Sequence, residues 1–173
     1  MSGVTGTILE YVLFAVQIAG LPALFLIFVL KGALIGKVVP TSVILPGYVF
    51  AADVSISGAV LLVLVLTAAH VIGQLLIVVG VRRQGVSVLS RLPLVSLDPD
   101  SPRLKRADRW FHRHGDLAVF TTNLVPWLRG MIAVPVGMVS YPLGRFTVYV
   151  GTSALVYHAV YVGLAVAGVA IVT

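Results

Sequence analysis

The chain lacks cysteine and contains few charged residues. Without cysteine, disulfide bonds and thiolate metal sites are excluded. Charged residues make up 10% of the chain, whereas a soluble domain carries about a quarter, and 59% of the residues are hydrophobic. The mean hydropathy is +1.07. These values predict a multi-pass integral membrane protein, and the length of 173 residues predicts a single domain over residues 1–173.

Sequence patterns that carry catalysis are also missing. The chain has no HExxH, no P-loop and no paired carboxylates within an apolar run. Ser153 and His158 lie five residues apart on one predicted helix, so they face different directions, and no third group would orient them. We therefore expect neither an enzyme nor a bound cofactor or metal. The first residues have no basic stretch and no small-residue cleavage site, which predicts that no signal peptide is removed.

Positive charge is concentrated in one region. Residues 82–113 hold eight of the twelve lysines and arginines, and the positive-inside rule places loop 82–115 in the cytoplasm. Leu104, Trp110 and Phe111 are interspersed with arginines there, which is typical of a helix lying at the membrane surface among anionic lipid headgroups. No nucleic-acid recognition motif accompanies the charge, so we expect no nucleic acid partner.

Three apolar segments are long enough to cross ~30 Å of hydrocarbon as helices. They are residues 8–30, 54–81 and 142–173. Pro22 is expected to kink the first of these helices. Either Asp53 or Ser55 is expected to cap the N-terminus of the second.

Two further apolar segments, residues 31–53 and 116–141, are each broken by a pair of prolines. Broken backbone survives in a bilayer only where it is buried in protein or lines a wet cavity. The arms around the prolines have about ten residues each, and a helix of that length reaches about half-way through the hydrocarbon. We predict that both segments are re-entrant hairpins. A kinked spanning helix is the alternative for residues 31–53.

The hairpins and spans form two units with the same order of elements. Residues 31–81 and 116–173 each consist of a hairpin followed by a span, and loop 82–115 separates them. Because the first span ends in the loop where the second hairpin begins, the two hairpins enter from opposite sides. The predicted fold class is therefore an all-α, polytopic membrane bundle with about three spanning helices and two opposed re-entrant hairpins. Inverted repeats of this kind place a substrate site near the bilayer midplane, between the units.

Arg129 is the strongest candidate for a functional residue. It lies between Pro126 and Pro135 in the second hairpin, and a charge at such a depth costs ~2.5 kcal/mol or more, so it is functional by default. A guanidinium can fork onto two oxygens of a phosphate. The alternative is a structural role, in which Arg129 bonds hairpin carbonyls or Asn123. Arg145 is either a headgroup ligand or an interfacial anchor.

The remaining candidates are polar side chains within apolar segments. Thr41 and Ser42, at the tip of the first hairpin, either donate to a phosphate or satisfy local backbone groups. His70 and Gln74 are four residues apart, so they share one helix face. Together with His158 they either form a proton or polar relay along a cavity or make hydrogen bonds between helices.

The second hairpin and its span resemble a known family. The stretch NLVPWLRGMIAVPVGMVSYPLGRFTVYVGTSALVY is similar to the signature of the DedA family, also called the SNARE-associated Golgi or VTT-domain family. PTSVILPGYVFAA resembles the family's first hairpin, and GVRRQG resembles a run after the next span. The resemblance covers residues from about 30 to about 160. The signature positions that match are Pro40, Pro126, Arg129, Gly137, Met138, Arg145, Phe146 and Gly151.

The resemblance implies a transporter of membrane lipids. Prokaryotic members resemble flippases for polyprenyl phosphates or phospholipids, eukaryotic relatives are scramblases, and several members are coupled to protons or sodium through embedded acids and two arginines. This chain departs from that pattern, which argues against coupling of proton or sodium through carboxylates and leaves His70 and His158 as titratable groups. The family's first arginine falls on Asn123. Its three acids fall on Ser42, on Leu30 or Lys31, and on Gly73 beside Gln74.

The sequence therefore predicts a lipid transporter of flippase or scramblase type in a prokaryotic plasma membrane. It would move an anionic lipid, such as a polyprenyl phosphate or a phospholipid, between leaflets, with the phosphate held by Arg129 near the midplane. The alternative is a non-transporting membrane adaptor that acts through its basic cytoplasmic loop. The sequence leaves open whether the protein forms a homo-oligomer.

Overall fold

The computed structural model describes residues 2–34, 41–52, 54–87, 102–125, 128–139 and 141–168. Within these ranges the regular structure is helical and contains no strand, so the predicted all-α class is confirmed. The helices are α1 (Ser2–Gly32), α2 (Thr41–Ala51), α3 (Ile56–Gln84), α4 (Pro102–His114), α5 (Asp116–Leu124), α6 (Ala133–Met138) and α7 (Leu143–Val166).

Two helices, α3 and α7, are long and apolar enough to cross a membrane. With 29 and 24 residues they extend about 43 and 36 Å at ~1.5 Å per residue. Ser55 caps α3, accepting a hydrogen bond from the backbone N–H of Gly58 at 3.2 Å, so the second of the two predicted caps is the one observed. The outward positions of both helices are apolar, as a hydrocarbon surround requires. Exposed examples are Leu64, Leu76, Val148 and Val160.

The first predicted span, residues 8–30, is divided in the structure. Gly20 has non-helical angles (φ 53°, ψ −123°) inside α1, two residues before the expected kink at Pro22. The proline ring disturbs the turn that precedes it, and glycine in that turn adopts a positive φ at little cost. The apolar helix that remains, Ile18–Gly32, is shorter than the ~20 residues that a spanning helix needs.

The two predicted hairpin segments contain short helices. In residues 116–141, α5 has 9 residues and α6 has 6, and the described residues between them, 125 and 128–132, form bends and turns. In residues 31–53, Lys31 and Gly32 complete α1, and α2 follows with 11 residues. A helix of 11 residues is about 16 Å long, roughly half the hydrocarbon thickness. Insertion of the two segments from opposite sides stays a prediction.

The core consists of two apolar clusters placed along α3 and α7. One cluster joins α1 and α2 to Leu62, Leu66 and Ala69 of α3 and to the C-terminal part of α7. The other joins α5 and α6 to Ile77 and Val78 of α3 and to the N-terminal part of α7. The middle of both spanning helices therefore lies between the clusters, and that is where the buried polar side chains are found.

Close backbone contact joins α1 to α3. A Cβ added at Gly73 would lie 2.1 Å from the carbonyl oxygen of Val29 and 2.7 Å from the amide nitrogen of Ala33. A Cβ added at Gly32 would lie 2.4 Å from the carbonyl oxygen of His70. Glycine is thus required on both helices, as at other tight crossings in membranes.

We expect Gly73→Ala to destabilise the protein by ~1–3 kcal/mol, because the new methyl group would overlap backbone atoms that cannot rotate away. The measurement is the thermal unfolding midpoint of the purified protein in detergent. Gly163→Ala is the matched control, since a Cβ at Gly163 has no neighbour within 4 Å. A Gly73→Ala variant that melts with the wild type would contradict the observed crossing.

Candidate functional site

Arg129 lies in the irregular turn between α5 and α6, where it meets the turn that follows α1. The backbone N–H of Arg129 donates to the carbonyl of Val125 at 2.9 Å. The next residue, Gly130, has φ 83°, and a Cβ there would lie 2.9 Å from a methyl carbon of Leu34. Leu34 is fully buried and itself has a positive φ of 65°. The two breaks in the helical structure therefore contact each other.

The guanidinium of Arg129 is held by two histidines and a tyrosine. Nε donates to Nε2 of His70 at 3.1 Å, and Nη2 lies 3.3 Å from Nε2 of His158. The central carbon, Cζ, lies 3.9 Å from the centre of the Tyr157 ring, a cation–π contact. Because arginine has no hydrogen-bond acceptor, Nε2 of His70 and Nε2 of His158 must each carry a lone pair. The cation is thus bound by neutral partners.

His70 continues into a network of buried amides. Nε2 of Gln74 lies 2.7 Å from Nε2 of His70 and also donates to Oδ1 of Asn123. Nδ2 of Asn123 donates in turn to the carbonyl of Val119 at 2.9 Å. This hydrogen-bond network connects α3 to α5 one helical turn away from the guanidinium. Oε1 of Gln74 is buried and has no hydrogen-bond partner among the described residues.

His158 is oriented from its other nitrogen. Nδ1 lies 3.2 Å from Oγ1 of Thr67, on α3. Since Nε2 accepts from the guanidinium, Nδ1 carries the proton and donates to Thr67. The ring of Phe28, from α1, meets the imidazole edge-on at 5.3 Å between centroids. Side chains from α1, α3 and α7 thus fix the acceptor that faces Arg129.

Lys31 brings a second positive charge to the site. It lies in the last turn of α1 and within electrostatic range of Arg129, His70 and His158. Lys31 was not among the predicted site residues, although it ends a long apolar run and the resemblance implies a family acid at Leu30 or Lys31. Its approach to α3 depends on the adjacent crossing of Gly32 and Gly73.

The acids whose side chains the structure describes are engaged elsewhere. Asp108 lies 3.4 Å from His112 within α4, and Asp116 accepts a hydrogen bond from the hydroxyl of Tyr141. Burial, together with that bond, raises the pKa of Tyr141. Within the described residues, therefore, the Arg129 cluster has two cations and no carboxylate. An arrangement of this kind is suited to an anion.

The predicted site residues separate into three groups. Arg129, His70 and His158 are in direct contact, and Gln74 and Asn123 extend the network. Arg145 is exposed in the first turn of α7, thirteen residues before His158, which is about 20 Å along a helix. It does not join the cluster. Outside the described part are the side chains of Thr41 and Ser42, and the whole of Pro40, Asp53, Pro126 and Trp127.

The basic helix α4 packs against α5 and α6. It begins at Pro102, a residue suited to the first position of a helix. Phe111 is buried, and the indole N–H of Trp110 donates to Oγ1 of Thr121 at 3.2 Å. The exposed side chains include a row of cations, Lys105, Arg106, Arg109 and Arg113. This helix therefore has one apolar face on the bundle and one basic face, as the sequence indicated.

Two curated relatives resemble the chain along much of its length. Both are called alkaline phosphatase-like protein, from Lactococcus lactis subsp. cremoris MG1363 and from subsp. lactis IL1403. They are 27% and 25% identical over 135 residues, which is 75% of this chain. The match spans 62% of the length of each relative. No solved structure matches the chain.

The family comparison covers both core clusters and the polar site between them. The VTT domain matches residues 38–166, which run from the start of α2 to the end of α7 and include Arg129 with both histidines. This match is longer than half of the chain, and it agrees with the two apolar helices that are long enough to span a bilayer. The chain is an integral membrane protein and belongs to the VTT-domain family, the DedA or SNARE-associated family.

Proposed function

We propose that this protein moves an anionic lipid between the leaflets of a membrane and that Arg129 holds the lipid phosphate. The observation that supports this most is the guanidinium bound only by neutral described partners, midway along two spanning helices, with Lys31 nearby. Arginine does not lose its proton, so the site keeps a positive charge that the described residues do not cancel. An anion would supply the missing charge.

The surroundings of the site favour a lipid over a free anion. Apolar clusters lie on both sides of the polar network, and a free phosphate would have to leave water completely to reach it. A lipid phosphate is carried by a hydrocarbon tail that gains from the same surroundings. Polyprenyl phosphates and phospholipids both meet this description.

The two backbone breaks supply the moving part of the proposed transporter. The turn between α5 and α6 carries Arg129, and its Gly130 rests on Leu34 after α1. The short helices α2, α5 and α6 can tilt without breaking a spanning helix, and transporters with broken helices alternate access in this way. We propose that tilting of these segments exposes the phosphate site first to one leaflet and then to the other, with α4 on the cytoplasmic side of a prokaryotic plasma membrane.

Coupling to protons would use the imidazoles of His70 and His158. Both accept from Arg129 and are therefore neutral at Nε2. A phosphate that takes over the guanidinium would release these nitrogens and place a negative charge beside them, which favours an added proton. Proton uptake would then accompany lipid binding without an embedded carboxylate.

The name of the two relatives, alkaline phosphatase-like, also points to phosphate. The described residues contain no group of three or more histidine, aspartate or glutamate side chains that could hold a metal ion. The hydroxyl of Ser153 donates to the carbonyls of Tyr149 and Val150 at 2.8 and 3.0 Å, within its own helix. We propose binding of a phosphate ester without hydrolysis.

We expect Arg129→Ala to lower lipid exchange at least ~10-fold, because a charge-assisted contact to the phosphate is lost. The measurement is leaflet exchange of labelled phospholipid and labelled short polyprenyl phosphate in liposomes that contain the purified protein. Arg129→Lys should not restore the rate, since an ammonium cannot reach both imidazoles and a phosphate in the same plane.

Arg83→Ala is the control for this experiment, because Arg83 is an exposed cation in the last turn of α3. It should exchange lipid at the wild-type rate. If folded wild-type protein exchanges neither lipid above empty liposomes, the transport proposal is wrong, and an adaptor role for the basic helix α4 becomes the better explanation. Release of phosphate from either lipid would instead show hydrolysis.

The neutral acceptors can be tested by a double-mutant cycle. We expect His70→Leu to destabilise the protein by ~1.5–3 kcal/mol, because a buried guanidinium N–H loses its acceptor. In an Arg129→Met background the same change should cost clearly less, so the double variant should be less destabilised than the sum of the two single changes. Chemical unfolding in detergent provides the free energies. In an Arg83→Met background the effect should stay additive, and additivity with Arg129→Met would show that the two residues do not interact.

A further inference from the structure

A cavity between the basic helix α4 and the helix α5 is separate from the Arg129 cluster. It has a volume of about 260 Å³, close to the ~300 Å³ lower end of ligand pockets, which suits one hydrocarbon chain better than a whole lipid. Its lining residues are Arg106, Trp110, Thr121, Thr122, Val125 and Leu128.

The polar groups in its wall are already satisfied. The hydroxyl of Thr121 donates to the carbonyl of Leu117 at 2.8 Å and accepts from the indole of Trp110. The hydroxyl of Thr122 donates to the carbonyl of Ala118. The threonines therefore have these polar atoms engaged, and with Val125 and the Trp110 ring they form an apolar wall that favours hydrocarbon.

A basic groove adjoins the cavity and shares two of its residues. The groove is lined by α4 and includes Arg106 and Trp110 together with Arg109 and Arg113. The arginines are three and four residues apart, so they lie on one face of the helix. Asp108 also borders the groove, but it lies against His112. An anionic group seated here would meet several cations within a few ångströms of the apolar cavity.

We propose that the groove and the cavity together bind a single anionic membrane lipid, with its phosphate on the α4 arginines and one hydrocarbon chain between α4 and α5. Charge complementarity selects the headgroup, and the apolar wall selects a lipid rather than free phosphate. The ring of Trp110 stacks on His114 at 4.0 Å between centroids, which holds the indole at the boundary between the two parts. Leu128, in the cavity wall, directly precedes Arg129 in the chain.

The position next to Arg129 suggests a role as a loading site. A lipid held on α4 has its chain beside the turn that carries Arg129, so the phosphate has a short route from the surface to the guanidinium. This role rests on the proposed lipid transport, whereas the binding of lipid to α4 does not. The two can be tested separately.

Quenching of Trp110 fluorescence tests the proposal directly. The chain has two tryptophans, so full-length protein with Trp127→Phe leaves Trp110 as the reporter. It is reconstituted in nanodiscs that contain chain-brominated phosphatidylglycerol or chain-brominated phosphatidylcholine at the same mole fraction. We expect stronger quenching by the anionic lipid. Equal quenching by the two lipids would overturn the proposal.

Two substitutions separate the chain contact from the headgroup contact. Val125→Phe fills the cavity and should remove the excess quenching. Arg106→Gln should lower the preference for the anionic lipid about fivefold, which is the effect of losing one cation near a membrane surface. Arg83→Gln is the control and should keep the full preference. Arg106 is exposed, so its variant remains informative if Val125→Phe does not fold, as judged by circular dichroism.

The remaining measurements distinguish lipid binding from binding of free phosphate, and the α4 site from the transport site. A preference that survives both Val125→Phe and Arg106→Gln would contradict the site. A preference abolished by millimolar inorganic phosphate at constant ionic strength would identify a free-anion site and also overturn the proposal. Arg129→Ala should keep the quenching. Lost lipid exchange with retained quenching supports both proposals, and retained exchange without selective quenching overturns the lipid site on α4 but not the proposed transport.

Discussion

A guanidinium midway along membrane helices cannot shed its proton, so the protein around it must replace the water that it has lost. This requirement accounts for much of the polar structure of the chain. The two spanning helices each place a histidine within hydrogen-bond distance of the Arg129 guanidinium, and α7 adds the face of the Tyr157 ring. Thr67 and Gln74 then hold those histidines in position. Removing the arginine would leave the two buried histidine Nε2 atoms without the donor that they share.

Backbone that is broken at membrane depth imposes a second requirement, since its free polar groups must be shielded from hydrocarbon. The structure meets it by bringing the two breaks together: Gly130 lies on Leu34, and α1 crosses α3 at a pair of glycines. The crossing has a consequence for charge as well as for packing. Because Gly32 lies so close to Gly73, the preceding Lys31 is carried towards Arg129. Small residues on α1 and α3 thus determine the electrostatics of the site.

Local signals in the sequence predicted the elements better than their contacts. Ser55 as a cap and an unbroken α3 follow from short-range chemistry, and Arg129 is evident because a charge stands out in an apolar run. The pairing of Arg129 with His158 and with His70 was not predictable, because these contacts join residues 29 and 59 positions apart and depend on how the helices pack. The break lies at Gly20, two residues before the predicted kink at Pro22, because the glycine and not the proline adopts the non-helical angles. Arg145 lies in the first turn of α7, and the length of that helix separates it from the Arg129 cluster.

The neutrality of the partners of Arg129 suits the proposed transport, in which the site both takes up and releases an anion. A carboxylate would hold the guanidinium in an ion pair, and an incoming phosphate would have to displace a charge that then remains buried and unpaired, at a cost of several kcal/mol. Imidazoles and an aromatic face position the same guanidinium through weaker contacts, and exchanging those contacts for phosphate oxygens leaves no unpaired buried anion behind. The charge balance therefore improves when the anion binds and the polar groups stay paired when it leaves. In the proposed transport, a cation held by neutral groups would bind phosphate with the moderate affinity that rapid passage between leaflets requires.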